Sequence, residues 1–209
     1  MGHDELAVTR RSLHGVAELV LAGPQYRATG RLRLGVVPGG FATTLMPRLR
    51  VDGSGVSGPE GVTAAIGGRT PRALGAELGV VAGRPEGAYE GGSGVDPDET
   101  LAVHPDQAGV ILAALALGHD ALLAFAARES PVLWPEHFDV AIRVHEMNFG
   151  VSPGDAFIEE PYAYVGVASS APAGDSFWNA PFGAAVPLRD LPDSPAVTGF
   201  FAEGRERAR

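Results

Sequence analysis

Residues 109–118 read Gly-Val-Ile-Leu-Ala-Ala-Leu-Ala-Leu-Gly. A stretch this apolar is stable in only two places, a lipid bilayer or the middle of a protein core. The helical region around it covers 107–128, and His119 and Asp120 fall near its middle beside Gly118, a natural helix end. Two short buried helices therefore fit better than one span of the ~20 apolar residues that a bilayer requires. A chain of 209 residues can bury such a core as one compact domain, without a disulfide or metal to hold it.

Several chemistries are removed by composition alone. With no cysteine, thiol catalysis, thiolate metal centres and disulfide frameworks are all excluded. All sixteen basic residues are arginine, so no lysine can form a Schiff base, anchor pyridoxal phosphate or serve a P-loop. A net charge of −9 argues against nucleic acid and anionic membranes as partners, because clustered cations drive both contacts. The opening Met1-Gly-His-Asp-Glu5 is acidic where a secretory signal needs a basic segment and an apolar one, so the expected location is the cytoplasm.

The pattern along the chain predicts an α+β fold: an antiparallel sheet, made of an N-terminal meander and a C-terminal hairpin, packed with several helices. Residues 1–10 read as a flexible leader, 11–203 as a single domain and 204–209 as a flexible tail. Ser12 caps an expected helix over 13–22, which Gly23-Pro24 should end. Strands are expected at 31–34, from Phe41, at 49–51 and through Val62 to Ile66. Thr70-Pro71 opens a short helix, and 83–99, rich in Gly, Pro and Asp, reads as a long loop. Residues 137–149 and 157–167 alternate as two strands of a hairpin around a tip at Ser152-Pro-Gly-Asp155. A closing helix is expected over 194–203.

The chemistry concentrates in that last third. Nine of the fifteen aromatic residues lie between Trp134 and Phe182. Strand periodicity puts His137, Asp139, Ala141, Arg143 and His145 on one face of the first hairpin strand, opposite Phe138, Val140, Ile142 and Val144. Glu160, Tyr162 and Tyr164 share a face of the partner strand by the same rule. Three uses of this polar face are weighed. His137 can act as a general base oriented by Asp139 or Glu136, with a tyrosine positioning substrate. His137 and Asp139 can instead be two ligands of a metal completed by His145 or Glu160. The plainest use is a solvated outer face. Serine catalysis is poorly supported, because Gly92-Ser93-Gly94 is not a nucleophile elbow and reads as a loop. His14, on an amphipathic helix, is expected to be half-buried, and His104 and His119 to be cap or surface residues.

Four segments carry a resemblance: Leu133-Trp-Pro-Glu-His-Phe-Asp139, Gly150-Val-Ser-Pro-Gly-Asp155, Glu160-Pro-Tyr-Ala-Tyr-Val-Gly166 and Phe177-Trp-Asn-Ala-Pro-Phe-Gly183. In their order and spacing the chain resembles a family of uncharacterised, mostly actinobacterial proteins. The function of that family is unknown, so the resemblance points to a region and implies no reaction or cofactor.

The expected function is small-molecule binding, with or without catalysis, in a pocket beside the 137–164 hairpin. His137, Asp139 and Glu160 are its candidate catalytic groups. Trp134, Arg143, His145, Tyr162, Tyr164 and Trp178 are its candidate ligand-binding groups. The alternative from another class is a structural or interaction module, in which exposed aromatics make a homo-oligomer or partner interface.

Overall fold

A computed structural model describes residues 2–167 and 175–208. The fold is α+β, with one open antiparallel sheet of ten strands. The strands are β1 (Leu34–Val37), β2 (Gly40–Thr43), β3 (Arg50–Asp52), β4 (Gly55–Ser57), β5 (Thr63–Ala64), β6 (Val132–Trp134), β7 (Asp139–Val144), β8 (Met147–Ser152), β9 (Tyr162–Val167) and β10 (Gly183–Pro187). Their order across the sheet is β10-β9-β8-β7-β6-β1-β2-β3-β4-β5. The two expected halves, meander and hairpin, are thus joined into one sheet where β1 pairs with β6 at Leu34 and Leu133.

The helices are α1 (Gly2–Gly15), α2 (Gly23–Thr29), α3 (Pro71–Glu77), α4 (Pro105–Phe125) and α5 (Ser194–Arg207). Thr70 caps α3 as its sequence predicts, accepting from the Ala73 N–H at 3.1 Å. The expected leader and tail are corrected. Residues from Gly2 are helical, and α5 continues to Arg207, while Met1 and Arg209 lie outside the described residues. Gly23-Pro24 does not end the first helix either. Val16–Ala22 forms a π-helical turn between α1 and α2, and Pro24 falls in the first turn of α2, where its missing N–H needs no partner. The stop comes at Gly30, whose φ of 70° is a left-handed helix cap.

The apolar run is one helix, not two. Ala108, Ile111, Leu112, Leu115, Gly118, Ala121 and Leu122 recur every three or four residues and are buried, while Asp120 is exposed. Gly118 is a contact point here and not a terminator. A Cβ on it would stand 2.6 Å from Val151 Cβ and 2.8 Å from Val140 Cγ1, so the absent side chain lets α4 lie directly on β7 and β8. By length and composition α4 could cross a membrane, yet 44% of its most apolar window is buried within the structure. Gly204 of α5 approaches Val165 of β9 from the same side. Val140, Ile142, Phe149, Val151, Ala163 and Val165 consequently face the helices and form the core.

The expected two-strand hairpin is three strands. His145 (φ 47°) and Glu146 (φ 68°) make a tight turn between β7 and β8. A turn with both central residues at positive φ matches the twist of paired strands even without glycine. Residues 147–149, read as the continuation of one strand, return antiparallel as the next.

Replacing Gly118 by Ala tests the helix–sheet contact. Intrinsic propensity alone would favour Ala by roughly 1 kcal/mol, but a clash with β-branched side chains on the sheet typically costs about 1–3 kcal/mol beyond any gain. Urea denaturation should show a net loss of stability, and a more stable Gly118→Ala protein would contradict the contact.

Candidate functional site

The side of β7–β9 turned away from α4 carries the polar residues. Asp139, Ala141 and Arg143 of β7, Asn148, Gly150 and Ser152 of β8, and Tyr162 and Tyr164 of β9 alternate with the core residues. The registers Ala141–Gly150–Tyr164 and Ser152–Tyr162 run across the strands. Gly150 is the floor of this arrangement. A Cβ there would lie 2.6 Å from the Tyr164 ring, so the bare backbone of β8 lets Tyr164 reach over it and donate its hydroxyl to Asp139 Oδ2.

The β6–β7 turn sets the position of Asp139. Trp134 pairs with Asp139, and the four residues between them close on a hydrogen bond from Phe138 N–H to Trp134 O of 2.8 Å. Phe138 takes a left-handed conformation (φ 57°), which breaks the strand alternation and swings its ring into the core. There it meets Phe41 edge-to-face at 5.6 Å and stacks on His14 of α1 at 5.3 Å. His14 Nε2–H donates to Pro135 O at 2.7 Å; a carbonyl can only accept, so neutral His14 carries its proton on Nε2. Burial lowers the His14 pKa despite that bond. His137 sits in the turn and is exposed, off the strand face where alternation placed it.

Two joined hollows open on this face. The larger, of about 770 Å³, lies between α1 and the ends of β7–β9, with Arg10 and His14 on one side and Tyr162, Tyr164 and Phe182 on the other. The smaller, of about 500 Å³, runs over β6–β8 past Arg33, Trp134 and Arg143. Glu136, His137, Asp139, Asn148 and Tyr164 line both, so the Asp139–Tyr164 pair marks the seam. The larger hollow is walled by Glu136 to Asp139, by Ser152, Gly154 and Asp155, by Tyr162 with Tyr164, and by Phe182.

Asp139 is the most unusual group in the cleft. It is only 6% exposed. Its Oδ2 accepts from Tyr164, and its Oδ1 has no partner among the described residues. Burial pushes its carboxyl up to about 6, against the opposing pull of the Tyr164 hydroxyl and the charge of His137. Burial and the adjacent Asp139 raise Tyr164 as well. Asp155, by contrast, is fully engaged. It accepts from Tyr162 Oη at 2.5 Å and from the Phe157 and Ile158 N–H groups at 2.7 and 3.1 Å, which folds the β8–β9 loop.

The remaining wall is held by Glu18, from the π-helical turn. Its side chain is buried and accepts from Arg84 Nε (3.0 Å), Tyr89 Oη (3.1 Å), Ser93 N–H (2.9 Å) and Ser93 Oγ (2.6 Å). The loop through Gly92 and Ser93, which borders the larger hollow, is thereby tied to the helix. Read from sequence as loop, leader and expected helix respectively, Ser93, Arg10 and Glu18 gave no motif. The helical spacing Arg10, His14, Glu18 was the available signal, hidden by ending the leader at residue 10.

Of the expected site residues, Trp134, His137, Asp139, Arg143, Tyr162 and Tyr164 meet at the two hollows. The others do not. His145 is in the β7–β8 turn, at the far end of the strand from Asp139. Glu160 pairs with Arg189. Trp178 stands edge-on to Phe177 at 4.9 Å and packs against the core, because Phe177 is drawn to Phe200 of α5 (5.4 Å). A metal completed by His145 or Glu160 is therefore not assembled. Among the described residues no three His, Asp or Glu side chains converge as a metal ion needs. No protein-family model, curated protein or solved structure matches the chain.

Two outcomes follow from the buried carboxylates. Glu18→Ala leaves several donors without their acceptor and should lower stability by about 2–4 kcal/mol, read as a fall in the urea midpoint. Asp139 acts in the opposite sense. Its folded carboxyl ionises less readily than the unfolded one, so its contribution is lost as pH rises from about 4 through about 6. Asp139→Asn removes that penalty, on the order of 2 kcal/mol. The variant should melt close to the parent at pH 4 and roughly 4–8 °C above it at pH 7.5. A difference that does not change with pH would contradict the assignment.

Proposed function

We propose that the chain binds a small molecule in the cleft over β6–β9, with Asp139 and Tyr164 at its centre. The observation that carries this reading is the unpaired Oδ1 of a buried carboxylate on the wall of an open hollow. A desolvated acceptor without a donor costs free energy in the unliganded protein. A ligand N–H or O–H that reaches the Asp139 carboxylate recovers that cost, so the same group that destabilises the fold favours the complex. Aromatic faces from Trp134, Tyr164 and Phe182, with few convergent polar groups, suit a compact organic ligand.

The cleft also has the parts for proton transfer. A carboxyl near 6, hydrogen-bonded to a tyrosine and next to the exposed His137, can give or take a proton at neutral pH. Asp139 is the group assigned to that role, Tyr164 the group that orients it, and His137 the route to solvent. Glu160, paired outside the cleft, has no part in it.

A thermal-shift screen against a broad metabolite panel tests the reading. A ligand at one hundred times its Kd adds about 2.7 kcal/mol, a rise of roughly 5–10 °C for a domain of this size. The rise should vanish in both Asp139→Asn and Tyr164→Phe. A silent panel, or hits that survive in both variants, would remove the cleft as the ligand site and favour the interaction-module alternative.

A further inference from the structure

We infer that the ligand of this cleft carries a protonated primary or secondary amine, which donates to the unpaired Oδ1 of Asp139 while its apolar part lies along Tyr164 and Phe182. The inference rests on the reading of the cleft as a ligand site and names the chemistry that the site selects.

Asp139 lacks a second side-chain donor. One oxygen already has the Tyr164 hydroxyl, and the other is buried without a partner. A neutral donor would satisfy the hydrogen bond but leave a negative charge in a desolvated place. A cationic donor satisfies both, and charge-assisted bonds of this kind are about twice as strong as neutral ones. Glu136, three residues away in the same turn, lines both hollows and has no partner among the described residues. A second carboxylate beside the first adds to the local negative field and favours a cation further.

The cationic side chains around the cleft are engaged elsewhere. Arg11 is held by Glu99 at 2.9 Å and by Gly94 O at 2.8 Å. Arg143 pairs with Glu146 at 3.6 Å. The Arg10 guanidinium donates to Glu159 O at 2.7 Å, in the space that a side chain at Gly154 would occupy. Arg33 lies over the Trp134 ring at 5.7 Å. His137 is exposed and makes no hydrogen bond to Asp139, although its charge acts on that carboxylate. None of these is bonded to Asp139, so the seam between the hollows keeps its negative character. The walls agree with this. Tyr164 meets Phe182 edge-on at 6.1 Å and Tyr162 at 6.3 Å, and the faces of such rings attract organic cations.

Three probes on one skeleton separate the elements of the inference: 2-phenylethylamine, 2-phenylethanol and trimethyl(2-phenylethyl)ammonium, titrated into the full chain at pH 7.5 by calorimetry or NMR. The primary amine should bind at least about tenfold more tightly than the alcohol. The quaternary ion, which has the charge but no N–H, should fall well below the amine. Asp139→Asn should abolish the preference for amine over alcohol, and Glu136→Gln should reduce it about two- to threefold. Equal binding of amine and alcohol, or no binding of the amine, overturns the amine assignment. Equal binding of the quaternary ion overturns the hydrogen bond to Oδ1. The reading of the cleft as a ligand site falls only if the wider metabolite panel is silent too.

Discussion

The close approach of α4 to β7 and β8 at Gly118 settles which side of the sheet becomes core. With no side chain at that position, Val140 and Val151 pack directly against the helix, and every second residue of the three neighbouring strands is committed to that side. The alternate residues, Asp139, Gly150 and Tyr164 among them, are turned to the opposite face. A strand has a period of two, so one such contact orients all of them together. The candidate site is in this sense a consequence of helix packing: its polar groups are those the core had no room for.

The two buried carboxylates show how differently the same group can be used. Glu18 is surrounded by donors and fastens the 91–94 loop to the N-terminal helix. Its burial is balanced, and its role is to shape a wall. Asp139 has one side-chain donor where it could use several, and burial holds its carboxyl above the ordinary aspartate range. A group that costs stability in this way and lines a cleft is a candidate for binding or catalysis. The stack of His14 on Phe138 couples the two, because it fixes α1 with Arg10, and the π-helical turn with Glu18 that follows it, against the turn that presents Asp139.

Much of the fold was legible in the sequence. The α+β class follows from an apolar helical run beside stretches of period two, although that run is one helix and not the two expected, and Thr70-Pro71 announced its helix. What was not legible was the meaning of Gly and Pro in context. Gly118 and Pro24 resemble terminators, yet one is a packing contact and the other opens the next helix after a π-helical turn. The turn at His145-Glu146 was invisible for the converse reason, since it holds no Gly, Asn or Asp, the residues that mark a two-residue hairpin turn. Strand alternation found Asp139, Arg143, Tyr162 and Tyr164 correctly as face-sharing residues. It failed at His137 and His145, both of which belong to turns.

The sequence by itself determined what chemistry is available: no thiol, no lysine, and a run of carboxylate, histidine and aromatic residues between 134 and 182. It also determined that an apolar helical run around 109–118 must be buried. Only the tertiary structure decided which of those polar residues meet. Glu160 turns to Arg189, Trp178 goes with Phe177 to the core, and Asp139 is left under Tyr164 with an oxygen unpaired. The reason is physical. Composition and periodicity are local properties, whereas the desolvation of a carboxylate depends on strands and helices brought together from distant parts of the chain.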